Sequence, residues 1–334
     1  MKTVIIAEAG VNHNGSVALA KKLVDVAVEA KVDYVKFQMG IPTLVASKYA
    51  EKASYQKQTT GQGSQLEMIK KISLTFEDHL EIKHYCDKVG IHYLCTPFDI
   101  PSIDFLQSMD IPFWKIPSGE ITNYPYLKRI TQYKKPVVMS TGMSTPDDIR
   151  GALNVLVNNG VNKSDITLLH CNTQYPTPVQ DVNLLAMQTL AKEFGVPVGY
   201  SDHTLGIEVS IAAVALGAAM VEKHFTLDRN MEGPDHKASL EPHELKAMVT
   251  TIRNVEIAFG SSEKTVSSSE SENKDIARKS IVAAHAIKKG DIFTENNITT
   301  KRPGNGISPM YWDQIIGTVA DQDYAEDELI ICDL

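Results

Sequence analysis

The sequence predicts an α/β fold in which eight parallel strands close into a barrel and a small second domain follows. Short apolar segments alternate with amphipathic segments of helical period as far as residue 258, and the alternation supplies eight strand candidates. Apolar strands that alternate with helices are typical of a parallel sheet covered on both faces, and eight units favour closure into a TIM barrel. An open doubly wound sheet is the alternative, but no G-x-G-x-x-G sequence follows the first strand to support it.

The predicted elements follow in order along the chain. The strands are placed at residues 4–8, 33–38, 91–96, 113–117, 136–141, 166–171, 197–201 and 219–224. Helical spacing of apolar residues is clearest at residues 16–30, 75–89, 146–159 and 242–258. The connection after the second strand, residues 40–74, is polar and longer than the others, and long loops of this kind are usually functional or mobile.

A stretch of low complexity separates the second domain from the barrel. Residues 260–275 read GSSEKTVSSSESENKD, a composition that cannot bury a core. Short β-like pieces follow it, at residues 280–283, 291–293, 298–301, 319 and 329–332. We therefore predict a barrel domain at 1–259, a linker at 260–277 and a small domain at 278–334. A unit this small has a marginal core, so we expect it to lean on a barrel.

Composition excludes several classes of protein. Of the 334 residues, 43% are hydrophobic and 22% charged, an ordinary balance for a globular protein. The net charge of −8 argues against nucleic-acid binding, because no basic field is present to neutralise phosphates. The first apolar run is interrupted at Glu8, too early for a signal peptide, and no segment is long enough to span a membrane. Four cysteines without a C-x-x-C pair suggest a reduced, cytoplasmic protein.

Polar residues gather where the predicted strands end. In TIM barrels these carboxyl ends meet at one face and build the active site. In chain order they carry Glu8; Lys36 and Gln38; Thr96; Lys115, Ser118 and Glu120; Ser140; Asn172, Thr173 and Tyr175; Ser201 and His203; and His224. We therefore predict one active site at this face of the barrel.

Two lysines, Lys36 and Lys115, lie within predicted strands. A buried unpaired ammonium is costly, so each lysine needs a nearby anion. One interpretation is a buried ion pair with a strand-end glutamate, Glu8 or Glu120. A second is a clamp for phosphate and carboxylate groups, completed by the small and hydroxyl residues after the fourth and fifth strands. A third is a Schiff-base lysine, as in class I aldolases.

Two histidines close adjacent strands, His203 the seventh and His224 the eighth. Neighbouring strands lie about 4.8 Å apart, so both imidazoles can bind one ion. With water and substrate oxygens they suit Mn²⁺, or alternatively Mg²⁺ or Co²⁺, whereas zinc more commonly has a third protein ligand. Hydrogen-bonded core histidines are the alternative interpretation. Asp235, beyond the eighth strand, is either a turn residue or a carboxylate placed to hold a sugar hydroxyl. The lesser metal candidates are His13, His170 and His236.

The motifs resemble those of the bacterial sialic acid synthase family, in the same order and over essentially the whole chain. They are AEAGVNHNG (7–15), KFQ (36–38), TPFD (96–99), KIPSGE (115–120), STGM (140–143), LLHCNTQYPTP (168–178), SDHT (201–204), EKHFT (222–226), GPDH (233–236) and KRPGNG (301–306). Together they form a highly specific pattern. The resemblance implies a TIM barrel followed by an antifreeze-like (SAF) domain, in a domain-swapped homodimer.

The resemblance also assigns roles to individual residues. It implies that phosphoenolpyruvate is bound by Lys36, Thr96, Lys115, Ser118, Ser140 and Ser201, and that a divalent metal, Mn²⁺ for preference, is bound by His203 and His224. It implies that an amino sugar contacts Glu8, Gln38, Glu120, Tyr175 and Asp235, while Arg302 of the small domain reaches its acyl group. Either Asn172 or Thr173 contacts phosphate, because the family commonly reads Thr-Asn where this chain reads Asn-Thr.

The implied reaction joins C3 of phosphoenolpyruvate to the aldehyde carbon of an open-chain N-acylated mannosamine and releases phosphate. The metal acts as a Lewis acid toward the aldehyde oxygen, and either Glu120 or Glu8 transfers a proton or orients the sugar. We expect N-acetylmannosamine to give N-acetylneuraminate; the alternative is 2,4-diacetamido-2,4,6-trideoxymannose, giving legionaminic acid. More distant alternatives are a Schiff-base aldolase and a carbohydrate- or ice-binding module, and the module leaves the paired histidines unexplained.

Overall fold

The computed structural model describes residues 2–332, which divide into two compact units between Gly260 and Ser261. The first unit is a parallel barrel of strands β1 (Val4–Gly10), β2 (Tyr34–Met39), β3 (His92–Pro97), β4 (Trp114–Ile116), β5 (Val137–Ser140), β6 (Ile166–Cys171), β7 (Val198–Asp202) and β8 (Met220–His224). The hydrogen-bonded order is β3-β2-β1-β8-β7-β6-β5-β4. Strands β3 and β4 also lie side by side, which leaves the barrel nearly closed. The predicted barrel is confirmed, and each strand falls within two residues of its predicted position.

Helices join the strands of the barrel unit and follow the last of them. They are α1 (Val17–Ala30), α2 (Pro42–Val45), α3 (Ser54–Thr60), α4 (Gln65–Ile72), α5 (Phe76–Val89), α6 (Ile100–Gln107), α7 (Tyr124–Thr131), α8 (Pro146–Asn158), α9 (Leu185–Phe194), α10 (Glu208–Ala215) and α11 (Pro242–Ala258). Several begin at a capping box; in α5 the Thr75 hydroxyl accepts from the Asp78 amide at 3.1 Å, and the Asp78 carboxylate accepts from the Thr75 amide at 2.8 Å. The long connection after β2 folds into α2, α3 and α4.

Two apolar layers hold the barrel together. The larger lies between the strands and the surrounding helices. The smaller fills the inside of the barrel and is built from Ile6, Leu94, Phe113, Val138, Leu169 and Met220. Because side chains alternate across a strand, residues at every second position along these strands share the inside of the barrel. The inner apolar layer therefore forms a floor, and the next inward-pointing residues lie on top of it.

The second unit contains helices α12 (Ser268–Ala277) and α13 (Trp312–Ile315) and the antiparallel pair β9 (Ser280–Ala283) and β10 (Ile298–Lys301). Its own small core is built around Ile281, Phe293, Tyr324 and Ile330. Helix α12 falls in the segment predicted to be a linker. It begins at a capping box of Ser267 and Glu270, and it buries none of its residues, as the composition predicts.

No helix among residues 2–332 combines the length and the hydropathy needed to cross a bilayer. Three cysteines of the barrel, Cys86, Cys95 and Cys171, are buried free thiols.

Candidate active site

A layer of buried polar residues lies directly above the apolar floor of the barrel. Each member follows a floor residue, or a residue packed on the floor, by two positions and therefore points inward. The layer consists of Glu8, Lys36, Thr96, Lys115, Ser140, Cys171 and Glu222. The strand register pairs Glu8 of β1 with Lys36 of β2, and it pairs Ser201 of β7 with Glu222 of β8. On its other side Glu8 is paired with His224 of β8.

The two strand-embedded lysines are linked through one glutamate. The Nζ atom of Lys36 lies 2.8 Å from Glu8 Oε2 and 3.6 Å from Glu222 Oε1, and the Nζ atom of Lys115 lies 3.7 Å from Glu222 Oε1. All four side chains are at most 5% exposed. The ion-pair interpretation of Lys36 with Glu8 is therefore realised, whereas Lys115 is paired with Glu222 rather than with Glu120. Glu222 was not among the predicted site residues.

Burial and charge act in opposite directions on this quartet. Burial disfavours the charge on Lys36, but Glu222 and Glu8 outweigh it and raise the pKa of Lys36. Burial lowers the pKa of Lys115, which Glu222 only partly offsets. Burial also raises the pKa of Glu8, against the attraction of Lys36. For Glu222 the two lysines outweigh burial and lower its pKa. Lys36 is thus held as a cation, and Glu8 is the carboxylate that most readily takes up a proton.

Three hydroxyl groups lie beside the lysines, and each is oriented by a hydrogen bond that its oxygen accepts. Thr96 Oγ1 accepts from Lys36 Nζ at 2.9 Å, and Ser140 Oγ accepts from Lys115 Nζ at 2.7 Å. Ser118 Oγ accepts from the backbone amide of Gly142 at 3.0 Å. Because a hydroxyl that accepts from the protein retains its own proton, these three groups can each donate to an anion in the cavity.

The backbone around the Ser118 hydroxyl is closely packed at Gly142. A Cβ atom at Gly142 would lie 2.6 Å from Thr173 Cγ2 and 2.9 Å from Ser118 Oγ. Only glycine therefore lets the β5 end approach these two residues. The side chain of Thr173 lines the cavity, whereas the side chain of Asn172 is turned into its own loop, where Oδ1 accepts from the amide of Gln174 at 2.7 Å. Of the two alternatives for phosphate contact, the geometry favours Thr173.

The two predicted metal ligands lie side by side at the ends of β7 and β8, with ring centroids 5.5 Å apart. His203 Nδ1 donates to the carbonyl oxygen of Asn172, which leaves its Nε2 lone pair facing the cavity, where the Tyr175 hydroxyl donates to it at 3.0 Å. His224 Nδ1 is buried and has no hydrogen-bond partner among the described residues. Burial lowers the pKa of His203 to about 4 and that of His224 well below its ordinary value. Both imidazoles are thus neutral, which is the form that binds a metal.

These residues fit a divalent ion with two protein ligands. Residues 2–332 contain no cluster of three or more His, Cys, Asp or Glu side chains arranged to hold a metal. The remaining ligands would have to be water or substrate oxygens, which suits Mn²⁺ better than a structural zinc. The lesser candidates are engaged elsewhere in the described chain: His170 bonds to the carbonyl of Val182, His236 to Thr226, and His13 to the amide of Gly15.

A buried ion pair lies on the outer face of the barrel wall, next to the two histidines in sequence. Asp202 and Lys223 directly precede His203 and His224 and, because side chains alternate, point away from the cavity. Lys223 Nζ lies 3.0 Å from Asp202 Oδ2 and donates to the carbonyl of Thr204 at 2.6 Å, and both charged side chains are fully buried. The pair joins β7 to β8 at the level of the candidate metal ligands.

A cavity of about 750 Å³ opens above the polar layer. Its lining contains Glu8, Lys36, Gln38, Thr96, Lys115, Ser118, Ser140, Thr173, Tyr175, Ser201, His203, His224 and Asp235. Two predicted site residues of the barrel unit, Glu120 and Asn172, are not among the described lining residues, and a third, Arg302, belongs to the second unit. Glu120 accepts a 2.5 Å hydrogen bond from Asn123, Asn172 faces its own loop, and Arg302 lies in the second unit, where it donates to the carbonyl of Ala277.

Asp235 and Gln38 lie at the side of the cavity next to Glu8. Burial, and then the negative charge of Glu8, raises the pKa of Asp235 to about 7, so near neutrality this carboxyl can either donate or accept. Gln38 Nε2 donates to Glu8 Oε1 at 2.9 Å. This side of the cavity therefore offers carboxyl and amide groups, whereas the side built by β4 and β5 offers a lysine and hydroxyl groups. The arrangement suits a substrate pair in which one member is strongly anionic and the other is a polyol.

Sequence reasoning missed three kinds of lining residue. Glu222 could have been found as a carboxylate inside a predicted strand, two residues before His224, but the sequence does not show that it pairs with Lys115 across the barrel. Cys171 lies 3.3 Å from Ser118 Oγ, and a single thiol at a strand end gave no functional signal. Tyr55 and Gln56, from the connection after β2, had only the signal that this loop is long.

Comparisons with known proteins agree with this geometry. Residues 23–264 match the NeuB family, and residues 278–331 match the SAF domain. The chain is 53% identical to N,N'-diacetyllegionaminic acid synthase of Campylobacter jejuni over 98% of its own length and 99% of the relative's. It is 46% identical to the synthase of the same name from Legionella pneumophila, over 95% and 90% of the two chains. A crystal structure of N-acetylneuraminic acid (sialic acid) synthetase from Leptospira borgpetersenii, in complex with citrate, superposes with a TM-score of 0.70 at 32% identity, covering 82% of this chain and 90% of that one.

Proposed function

Because this chain belongs to the NeuB family, we propose that it is a nonulosonic acid synthase, which condenses phosphoenolpyruvate with an open-chain N-acylmannosamine and releases phosphate. The observation that carries the proposal is the asymmetry of the cavity. Lys115 and the hydroxyl groups of Ser118 and Ser140 lie at the side built by β4 and β5, whereas Glu8, Gln38 and Asp235 offer carboxyl and amide groups at the other side. This arrangement suits a phosphorylated carboxylate beside a sugar.

Residues at the ends of β2, β3, β4 and β5 would bind the anion. Lys36 and Lys115 offset part of its charge, and the hydroxyl groups of Thr96, Ser118 and Ser140 donate to its oxygens. A divalent ion held by His203 and His224 would supply Lewis-acid chemistry at the aldehyde. Water competes with the substrate for each of these groups, so a cavity that excludes water strengthens their interactions with the substrate.

Glu8 is our choice for the proton-transfer group. It lies within the polar layer, next to His224 in the strand register, and burial raises its pKa. Glu120, the other candidate, is bonded to Asn123 and is not part of the cavity lining among the described residues. Its raised pKa has the same cause, burial, with Asp99 as a further contribution.

Two sugars remain as substrates. N-acetylmannosamine, which gives N-acetylneuraminate, is our first expectation. The alternative, 2,4-diacetamido-2,4,6-trideoxymannose, is favoured by one observation, that the relatives from Campylobacter and Legionella named above are both N,N'-diacetyllegionaminic acid synthases. The two sugars differ at C4 and C6, away from the aldehyde, so the polar layer serves both equally.

Phosphate release tests both the class and the sugar. The purified protein should release phosphate from phosphoenolpyruvate only when one of the two sugars is present, because the reaction consumes both substrates. Comparing kcat/KM for the two sugars at saturating phosphoenolpyruvate identifies the preferred one. A protein that consumes phosphoenolpyruvate with neither sugar would contradict the proposed function, and a large preference for the diacetamido sugar would replace our first expectation by the alternative.

We also propose that the active protein is a homodimer in which Arg302 of one chain completes the site of the other. Arg302 is exposed in the second unit, and its guanidinium retains unused donors beyond the bond to Ala277. Arg302→Ala and Lys115→Met proteins should each be nearly inactive. Mixed and allowed to exchange subunits, they should regain up to about a quarter of the wild-type activity, since random pairing makes half the dimers mixed and each mixed dimer has one intact site. No recovery, in a mixture shown to contain mixed dimers, would mean that Arg302 acts within its own chain.

A further inference from the structure

The connection between β2 and α5 contributes a wall of the cavity that the strand ends do not provide. Its three short helices place Val45, Tyr55, Gln56, Met68, Ile69 and Ile72 in the cavity lining. Tyr55 lies in the first turn of α3 and is half-buried, although the helix as a whole buries none of its residues. Because α3 is otherwise exposed, the inward position of the Tyr55 ring is explained by its contacts within the cavity.

The ring of Tyr55 is part of a stack that leads to the candidate metal ligands. It lies parallel to the ring of Tyr175, with centroids 5.2 Å apart and an angle of 18° between the planes. Tyr175 in turn stacks on His203 at 4.1 Å and 25°. An aromatic pair of this kind contributes stability beyond the apolar area that it buries. The stack therefore holds the connection after β2 against the reacting end of the cavity.

The shape of the connection is fixed by a buried lysine. The Nζ atom of Lys52, a residue only 6% exposed, donates to the carbonyl oxygens of Thr60, Gly61 and Gln62 at 3.4, 3.0 and 3.3 Å. These three bonds use all three ammonium protons and join the residues just before α3 to those at its end. Lys52 thus sets the position of the helix that carries Tyr55.

The hydroxyl group of Tyr55 has a proton to donate. It accepts from Gln56 Nε2 at 3.4 Å, and the hydrogen bonds found within residues 2–332 include no acceptor for its own proton. Burial, and then the charge of Asp235, raises the pKa of Tyr55, so the phenol stays protonated. Asp235 lines the same cavity, and its charge acts on Tyr55. The Tyr55 hydroxyl therefore lies on the side of the cavity that carries the carboxyl and amide groups.

We propose that Tyr55 is a sugar-binding residue and that the connection after β2 closes the sugar end of the cavity. The Tyr55 hydroxyl donates to an oxygen of the sugar, while its ring keeps Tyr175 in place. Apolar side chains of α4, Met68, Ile69 and Ile72, line the same cavity and suit the methyl group of an acylamino substituent. The inference rests on the proposed function, and it adds a determinant of sugar binding that the strand ends lack.

The test compares two conservative changes in the same connection. Tyr55→Phe removes the hydroxyl and keeps the stacked ring, so the KM for the sugar should rise about 3- to 10-fold, the range for one hydrogen bond, while the KM for phosphoenolpyruvate stays unchanged. Tyr55→Ala also removes the stack and should raise the KM for the sugar by about a further 3- to 10-fold. The matched control is Tyr49→Phe, because Tyr49 lies in the same connection but is 81% exposed. It should leave both KM values as they are.

Calorimetric titration with phosphoenolpyruvate separates binding from folding, since each variant should bind it as the wild type does. Lys52→Met should reproduce the sugar-selective defect, because it releases α3 without touching the cavity. If Tyr55→Phe leaves the KM for the sugar unchanged, or raises the KM for both substrates equally, Tyr55 is not a sugar-binding residue. Failure of the wild-type protein to react with either sugar would instead contradict the proposed function itself, so the two failures are distinguishable.

Discussion

His224→Ala should lose turnover on the order of a thousandfold and lose Mn²⁺ binding with it. Lewis-acid stabilisation of a developing oxyanion is worth several kcal/mol, and each 1.4 kcal/mol or so is tenfold in rate. The unpartnered Nδ1 of His224 favours a metal-binding role over a hydrogen-bonded one for that residue. Burial lowers the pKa of both histidines, which keeps them in the neutral form that binds a metal. The same loss should follow treatment of the wild-type protein with a chelator, and added Mn²⁺ should restore it.

The measurement needs a readout besides activity. Calorimetric titration of the stripped protein with Mn²⁺ should give one site per chain in the wild type and none in His224→Ala, while circular dichroism shows that both are folded. His243→Ala is the matched control, because the His243 side chain is 76% exposed, and it should bind Mn²⁺ and turn over normally. Full activity in metal-stripped wild-type protein would exclude the metal role of the two histidines.

Lys115→Met should abolish measurable phosphoenolpyruvate binding and also destabilise the protein. The change removes one of the two lysines beside Glu222 and leaves this buried carboxylate with one cation fewer. Loss of one member of a buried ion pair typically costs about 3–5 kcal/mol. The loss of binding has a separate cause, because Lys115 both carries charge and orients the Ser140 hydroxyl. Urea unfolding measures the first effect and calorimetric titration with phosphoenolpyruvate the second.

A second variant separates the two effects. Lys115→Met combined with Glu222→Gln removes both charges, so it should regain most of the lost stability but none of the phosphoenolpyruvate binding. Recovery of binding in the double variant would mean that Lys115 serves only to neutralise Glu222.

The remaining rival is a Schiff-base lysine, which requires a neutral amine. Lys115 has a lowered pKa and is the residue to examine. Borohydride treatment during turnover should leave the chain unmodified; a trapped adduct on Lys115 would establish the rival mechanism.

Several of the differences between prediction and structure have a common origin. The segment predicted to be a linker contains α12, which buries none of its residues, because the Ser267–Glu270 capping box stabilises a helix without any core. The alternative partner for Lys115, Glu120, is close in sequence, whereas the actual partner, Glu222, is more than a hundred residues away on β8. Asn172 and Thr173 are adjacent, and only the packing of Thr173 on Gly142 shows which of them faces the cavity.

The sequence by itself determined the barrel, the face at which the polar strand ends meet and many of the polar residues that line the cavity there. Strand and helix periods are local, and the period of two along each strand places Lys36, Lys115 and Glu8 inside once the strands are known. Only the tertiary structure decided which of these side chains meet and what else joins them. Closure of the barrel brings β8 within reach of β2 and β4, and the folding of the connection after β2 brings Tyr55 onto Tyr175. The physical reason is that pairing across a barrel depends on strand register and on the path of the loops, which are set by packing between distant segments rather than by local residue preferences.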